Sequence, residues 1–314
     1  MLSFTIRRLI SLIVTLLAAA LVVFVVLEIL PGDPAAVMLG VQATPETLAA
    51  VRAEYGLDKP VPVRFVQWIA GLVTGDLGIS YTYRVPVSTL ILERLAVTVP
   101  LALIAIALST AIAIPLGVFA AARHAQPADA GVMVFSQIGV AIPNFWFALL
   151  LVLLFSITLG WAPSGGFPGW ASGAAALGAL ALPAISLALP QAAILARVTR
   201  SSVLDALGED WVRTARAKGL TRAQTLRGHV LRNALIPVVT IMGLQFSFLL
   251  AGAIIIENVF YLPGLGRLVF QAINQRDLIV VRDIVVLLAG LVIVINFVVD
   301  LLYAVIDPRL RTRR

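Results

Sequence analysis

Few residues in this chain have the types and spacing needed to bind or hydrolyse a nucleotide. A phosphate-binding P-loop ends a glycine-rich turn with a lysine followed by serine or threonine. The only lysines are Lys59 and Lys218, which are followed by Pro60 and Gly219. We therefore expect this chain to bind no cofactor. If ATP and Mg²⁺ are used, we expect separate subunits to bind them.

Other catalytic chemistry is also poorly supported. Without cysteine there is no thiolate nucleophile and no cysteine metal site, and His124 and His229 are too far apart in sequence to form an HExxH-type zinc motif. No GxSxG nucleophile turn and no pair of intramembrane aspartates is found either. The sequence predicts no catalytic residue and no metal site, which indicates that the chain is not an enzyme.

One carboxylate stands well inside an apolar segment, and a charged group there is a functional candidate by default. This residue is Asp300, which lies near the predicted inner end of the last span. Two interpretations remain open: an ion or substrate pathway, or a structural ion pair with Arg197. The position close to the inner end favours the ion pair.

The composition requires a membrane as the solvent for most of the chain. Of 314 residues, 61% are hydrophobic and 12% are charged, and the mean hydropathy is +1.02. The net charge of +7 could suggest nucleic acid, but the basic residues are concentrated beside hydrophobic runs, as orientation signals are. We therefore predict contact with membrane lipid and none with nucleic acid.

Hydrophobic runs of membrane length predict an all-α integral membrane protein with six transmembrane helices. Both termini are expected in the cytoplasm, because the assigned inner segments carry more lysine and arginine than the outer ones. The first run is interpreted as an uncleaved span rather than a signal peptide, since it lacks a small-residue cleavage site. The predicted spans are 1–30, 98–122, 130–159, 174–196, 235–256 and 284–306.

The remaining segments complete the predicted domain organisation. Residues 31–97 are expected to form an extracytoplasmic region with amphipathic helices at 45–54 and 62–73, lying near the outer interface. The last five spans are expected to form a five-helix core, 98–306, which contains a cytoplasmic loop at 201–235. Residues 307–314 form a basic cytoplasmic tail. A short helix at 267–273 is predicted in the outer segment before the last span.

Several polar or helix-breaking residues interrupt the predicted spans. Each could line a translocation pathway, because a proline in a membrane helix frees a carbonyl that protein or water must satisfy. Each could equally hydrogen-bond a neighbouring helix. These residues are Gln137, Pro143, Asn144, Gln191 and Gln245.

The polar loop at 201–235 contains the start and stop signals of two short helices. Asp210 places negative charge in a first turn, and Gly219 is a suitable C-cap for a helix from Asp210 to Lys218. Thr221 followed by Gln224 fits a capping box, so a second helix is expected through His229 towards Asn233. A pair of short helices joined at a glycine can be held by a partner outside the membrane.

The polar loop and several other segments resemble a known family. The stretch RTARAKGLTRAQTLRGHVLRNALIPVVT is similar to the coupling loop of ABC-transporter permease subunits of the dipeptide, oligopeptide and nickel importers. Further similarity lies in ILPGDPA, YGLDKP, GDLGIS, ENVFYLPGLGRL and NFVVDLLYAVIDPRLR, in family order. The coupling loop of the wider family is called the EAA motif, and the acidic residue in that name is absent here. Arg213 or Thr214 lies near its position. The long interval from Gly219 to Pro237 indicates the peptide-type subfamily.

The resemblance implies a type I ABC importer permease fold in the bacterial inner membrane. It implies a heterodimer with a related permease, two cytoplasmic ATP-binding subunits and an extracytoplasmic solute-binding protein. Di- and oligopeptides are the implied substrates, with nickel chelates and glutathione as alternatives. The residues implied to couple to the ATPase are Asp210, Trp211, Arg213, Thr214, Ala215, Arg216, Ala217, Lys218, Gly219, Leu220 and Arg222.

Two other interpretations concern the class of transporter and the role of the basic loop. An ion-gradient-driven secondary transporter usually carries buried ionisable relays and broken helices in paired repeats, and a lone peripheral Asp300 argues against that class. The basic loop could also bind anionic lipid. Lipid binding alone does not require Ala215, Gly219 and a paired-helix corner.

Overall fold

A computed structural model describes residues 2–29, 34–39 and 43–306, and these residues are almost entirely helical. The basic tail predicted at 307–314 lies outside them. The helices are α1 Leu2–Ile29, α2 Pro34–Leu39, α3 Pro45–Glu54, α4 Val61–Thr74, α5 Val87–Ala122, α6 Pro127–Ala141, α7 Asn144–Leu151, α8 Ala174–Gly208, α9 Asp210–Ala217, α10 Arg222–Thr225, α11 Leu231–Val259, α12 Leu265–Asn274 and α13 Leu278–Ile306. Short π-helical segments, Val152–Thr158 and Leu226–Val230, extend α7 and join α10 to α11.

Within the described ranges, five helices are long and apolar enough to cross a membrane, and a bent pair would make a sixth span. The continuous spans are Thr5–Ile29, Val87–Ala122, Ala174–Gly208, Arg222–Val259 and Leu278–Val299, and the bent pair is Pro127–Ala141 with Asn144–Thr158. The prediction of an all-helical membrane fold is confirmed.

The third span differs from its prediction as a single helix over 130–159. Two helices meet there at an angle of 100°. Pro143 lacks an amide hydrogen and disfavours helical geometry at the residue before it, and Ile142 is accordingly extended at φ −85° and ψ 124°. The span is therefore broken at this proline rather than merely bent.

Other helix bounds also differ from the sequence-based expectation. The second span begins as a helix at Val87 rather than at residue 98, and the fourth continues to Gly208 rather than ending near residue 196. The second helix of the loop does not end near Asn233. It continues through the π-helical segment into α11, which makes one helical run from Arg222 to Val259.

The chain forms two units, which are described separately. Of the described residues, those within Met1–Thr5, Val99–Leu262 and Ile295–Ile306 belong to the first unit, and those within Ile6–Thr98 and Pro263–Val294 belong to the second. In the first unit α8 packs against α6, α7 and α11. Close approach of α6 and α8 depends on small residues, because a Cβ at Gly139 would lie 2.8 Å from Ala193 Cβ.

The second unit is built around a small aromatic core. Trp68 of α4 is 6% exposed and stacks on Phe24 of α1, with ring centroids 5.8 Å apart. Val286 of α13 packs on the same cluster. This cluster packs α4 against α1 and α13.

Candidate coupling site and polar core

Helix α9 begins at Asp210 as the sequence predicts and ends at Ala217, one residue before the predicted end at Lys218. Glu209 is extended at φ −70° and ψ 147° and begins the helix. At the other end Gly219 has φ +89°, and its amide donates to Arg216 O at 2.9 Å while Leu220 N donates to Ala215 O at 3.3 Å. These two bonds form a Schellman motif, which satisfies the last carbonyls and requires a residue that tolerates positive φ.

The following helix is fixed by a capping box, as predicted. Thr221 Oγ1 accepts a hydrogen bond from the backbone N of Gln224 at 3.3 Å. The backbone N of Thr221 donates to the side-chain Oε1 of Gln224 at 2.9 Å. Arg222 also reaches back to the membrane core, where its Nη2 donates to Ala122 O at the end of α5, at 3.1 Å. The corner between α9 and α10 is thus tied by local caps and by one contact to α5.

One face of α9 is buried against the membrane helices of the same unit. Val212 is 1% exposed, Ala215 is also buried, and Trp211 packs beside them. The apolar cluster around Val212, which we call the coupling core, joins α9 to α5, α8 and the α10–α11 run. Its buried members are Ala121, Val203, Ala206, Val212, Val230 and Ala234, and Val118, Leu204, Leu207, Trp211, Leu226 and Leu231 pack against them.

The opposite face of α9 is exposed and mostly polar or basic. Asp210 and Arg213 form an exposed pair at 3.4 Å, which contributes little to stability in water. Ala215 is buried on the inward face, so of the small residues Ala215 and Gly219 only Gly219 is exposed to a partner. The exposed residues are Asp210, Arg213, Thr214, Arg216, Ala217, Lys218 and Gly219.

An ion pair that the sequence did not predict joins α8 to α6 in the same unit. Arg200 of α8 donates from Nε and Nη2 to the two carboxylate oxygens of Asp129 at 2.5 and 2.6 Å. His124 Nδ1 lies 3.2 Å from the same carboxylate. The sequence signal was Pro127 followed by an acidic residue in a first helical turn, but nothing local indicates a partner 71 residues away.

The predicted pair of Asp300 and Arg197 stays a prediction. The side chain of Asp300 falls outside the part of the chain whose side chains are described, and Arg197 is exposed. The pair formed by Arg200 and Asp129 joins α8 to α6, which is the same kind of link between inner helix ends that was expected of Arg197.

Two of the polar residues predicted inside the spans are brought together. Gln245 of α11 donates from Nε2 to the carbonyl oxygen of Gln191 on α8 at 2.8 Å, and both side chains are buried. Their side-chain Oε1 atoms have no protein partner. This contact is a helix-to-helix hydrogen bond, while the free oxygens leave acceptors for a water or a solute.

The other three candidates lie apart from that pair. Gln137 and Pro143 are exposed, and Asn144 is half-buried at the break between α6 and α7. A Cβ at Gly252 of α11 would lie 3.5 Å from Asn144 Nδ2, so α11 passes close to the broken span. Among the pathway candidates, the structure joins Gln191 and Gln245 and leaves the other residues separate.

Comparison with known proteins covers nearly the whole chain. Residues 113–312 match the family described as the binding-protein-dependent transport system inner membrane component, and residues 1–102 match its N-terminal family. A Brucella abortus (strain 2308) protein named as a peptide transport system permease is 45% identical over 97% of this chain and 98% of its own length. The glutathione transport system permease protein GsiC of Salmonella choleraesuis is 41% identical over 99% of both chains.

The fold is also found in a solved structure. A chain of the inward-facing MetNI methionine ABC transporter superposes with a TM-score of 0.56 at 20% identity, covering 69% of this chain and 96% of that one. At this identity the likeness concerns the fold alone. It agrees with the packed membrane helices described above.

Proposed function

The chain belongs to the family of binding-protein-dependent transport system inner membrane components, and on that basis we propose that it carries peptides as one half of a translocation pathway. It is a multi-pass permease subunit of an ATP-driven importer of the inner membrane, and such a permease works with ATPase and binding-protein partners. The substrates proposed are di- and oligopeptides, because relatives at 45% and 41% identity are named for peptide and glutathione transport.

The assembly proposed around this chain contains a related permease as heterodimer partner and two cytoplasmic ATP-binding subunits. ATP and Mg²⁺ belong to those subunits, and this chain supplies no group that hydrolyses ATP. An extracytoplasmic solute-binding protein delivers the peptide. The absence of a lysine followed by serine or threonine supports this division of labour.

The observation that carries the mechanism is the two-faced packing of α9. Its exposed face, with Arg213 and Arg216, is available to an ATPase groove, and its buried face carries Val212, a member of the coupling core, beside the buried Ala215. When ATP closes the ATPases, binding energy displaces α9, and the coupling core passes that displacement to the membrane helices. Switching between inward- and outward-open states would follow from movement of packed elements.

Gly219 gives the sharpest test of the ATPase contact. Gly219→Arg places a long side chain at the exposed corner, where nothing lies within 4 Å, and also strains a positive φ. We expect the variant to insert into membranes but to lose ATPase co-purification and peptide uptake. Gly219→Asn separates the two effects, because asparagine tolerates left-handed geometry, and it should keep most of the association.

Gly228→Arg is the matched control, since Gly228 is also exposed and has open space around it, but has no positive φ. It should co-purify with the ATPase like the wild type. Normal co-purification of Gly219→Arg would refute the proposed contact, as would equal loss in the Gly228→Arg control.

A further inference from the structure

A cavity of about 710 Å³ lies within the second unit. The end of α1, the segment from α3 to α4, the loop at 74–81 and the first turns of α13 surround it. This volume lies in the range of roughly 300–1,000 Å³ that is typical of small-ligand sites. Neither the coupling site nor the buried glutamine pair includes any residue of this cavity.

The inner wall of the cavity is rigid and aromatic. Trp68 donates from its indole Nε1 to Asp283 Oδ1 at 2.7 Å and is stacked by Phe24. The guanidinium of Arg282 lies over the Trp68 ring, with Cζ 4.5 Å from the ring centroid. Stacking of this kind holds a guanidinium in place by a cation–π interaction while its edge stays able to donate hydrogen bonds.

Two arginines on this wall keep hydrogen-bond donors to spare. Arg64, one turn before Trp68 on α4, forms an ion pair with Glu28, yet its buried Nε has no protein partner. Arg282 is only loosely paired, since its Nε lies 3.4 Å from Asp283 Oδ1. Both side chains are about one-fifth exposed, at 21% and 22%. A carboxylate is the group that such planar donors bind in pairs.

The rim of the cavity carries the opposite charge. Glu54 and Asp76 line it and are exposed to solvent, and Lys59 there is held by a 3.2 Å hydrogen bond from Nζ to Gln67 Oε1. Taken over the whole lining, three carboxylates, Glu28, Glu54 and Asp76, face three cations, Lys59, Arg64 and Arg282. The lining is electrically balanced, but cations dominate the wall and carboxylates the rim.

Tyr81 adds a neutral polar group beside the arginines. Burial raises the pKa of Tyr81 to about 12, so its hydroxyl stays protonated at neutral pH and can donate a hydrogen bond. Its ring meets that of Tyr55 edge to face at 5.2 Å. The two tyrosines provide apolar surface for the body of a ligand between the charged ends.

We propose that this cavity binds a short peptide as a zwitterion, with its terminal carboxylate at Arg64 and Arg282 and its terminal ammonium at Glu54 and Asp76. The choice of a peptide rests on the proposed function, whereas the orientation rests on the charges of the lining. The site is a point of substrate selection on this chain, in addition to the solute-binding protein, and it recognises the two ends that all unmodified peptides share.

A zwitterionic phospholipid headgroup also carries a cation and an anion a few ångströms apart. The cavity favours a peptide because its rim residues Glu54, Lys59 and Asp76 belong to the exposed polar segment between α1 and α5, not to the apolar faces of the membrane helices. Lipid occupancy is therefore an outcome that the experiment must separate.

The test uses the full-length chain with its permease and ATPase partners in nanodiscs, without the solute-binding protein. Equilibrium dialysis with radiolabelled trialanine measures binding directly. We expect saturable binding that weakens about tenfold or more when the C-terminus is an amide, because a charge-assisted bidentate bond is lost. N-acetylated trialanine should also bind more weakly. Equal binding of the amide and the free acid would overturn the proposal.

Variants check the same site from the protein side. Arg282→Gln should weaken trialanine binding about tenfold, and the exposed Glu54→Gln should weaken it for the free peptide but not for the N-acetylated one. Arg52→Gln on α3, outside the cavity, is the control and should bind like the wild type. Since Glu54 is exposed, its result does not depend on whether the Arg282 variant folds. Unchanged binding in the Glu54 variant contradicts the site.

Uptake by the complete transporter separates this proposal from the proposed function. Trialanine uptake without saturable binding in the nanodiscs overturns the site and leaves the peptide importer standing, whereas absence of uptake for any peptide overturns the function. Native mass spectrometry gives the lipid outcome. A phospholipid that stays bound to the wild type but not to Arg282→Gln, and that trialanine fails to displace, overturns the peptide site.

Discussion

Replacing Val212 by alanine should uncouple ATP hydrolysis from transport without detaching the ATPase. Val212 is 1% exposed and belongs to the buried face of α9, where it packs in the coupling core. The substitution leaves the exposed residues Arg213 and Arg216 untouched. It therefore weakens the link between α9 and the membrane helices while preserving the surface proposed to contact the partner.

The expected cost follows from the atoms removed. Val212→Ala deletes the equivalent of two methylene groups, about 1.6 kcal/mol at 0.8 kcal/mol each, and an unfilled cavity raises this to about 2–3 kcal/mol. A helix as short as α9 is marginal alone in water, so its position depends on this packing. A loss of about 2 kcal/mol raises the undocked fraction roughly 30-fold.

The assay is the ratio of ATP hydrolysed to peptide imported by the complete transporter in proteoliposomes. We expect Val212→Ala to co-purify with the ATPase at the wild-type level and to hydrolyse ATP, but to import less peptide per ATP. Loss of α9 packing in the coupling core predicts this pattern. The ATPase subunits still close on ATP, but the displacement of α9 no longer reaches α5, α8 and α11.

Val238→Ala is the matched control. Val238 is 0% exposed, lies on α11 and packs in a separate cluster with Ala192 and Leu195, so the same methyl groups are lost at a site that does not touch α9. It should lower thermal stability by a similar amount while keeping the transport ratio. If both variants lose stability equally and Val212→Ala transports at the wild-type ratio, the coupling core does not transmit the motion.

Two further predictions concern packing in the first unit. Asp129→Asn breaks the pair between Asp129 and Arg200, whose side chains are 6% and 20% exposed. Because Arg200 loses its partner, the variant should be about 3 kcal/mol less stable in thermal unfolding. The double variant Asp129→Asn with Arg200→Gln should recover part of that loss. Gly243→Ala places a Cβ 2.0 Å from Val299 Cγ2 and should lower the free energy of unfolding by about 1–3 kcal/mol. Adding Val299→Ala should restore part of that stability, and absence of this rescue would refute the contact.

Local signals in the sequence predicted the short elements well. The helix α3 has the predicted bounds, Pro45–Glu54, and both Gly219 and the Thr221 capping box act as expected. These features depend on residues within one turn of each other, where backbone geometry and caps decide the outcome. Composition likewise indicated a helical membrane protein, because charge is too sparse for a soluble surface.

Features that depend on distant residues were predicted less well. The break at Pro143 was visible as a proline, but its 100° angle depends on how α6 and α7 pack, which no local pattern encodes. The pairing of Asp129 with Arg200 joins residues that are far apart in the chain. The continuation of α10 into α11 was missed because the second loop helix was expected to end near Asn233 and a separate span to begin at residue 235, whereas the helix runs on through a π-helical segment.

The helical period of α9 explains how one short element can serve two partners. Val212 and Ala215 lie one turn apart on the inward face, while Arg213 and Arg216 follow each of them by one residue and are exposed. Because α9 is only eight residues long, few of its side chains reach the membrane helices, and each of these must be apolar to pack there. A polar inward residue would leave α9 bound to its motor but detached from the membrane helices, which is why the coupling core, and not the exposed arginines, should decide how much peptide each ATP moves.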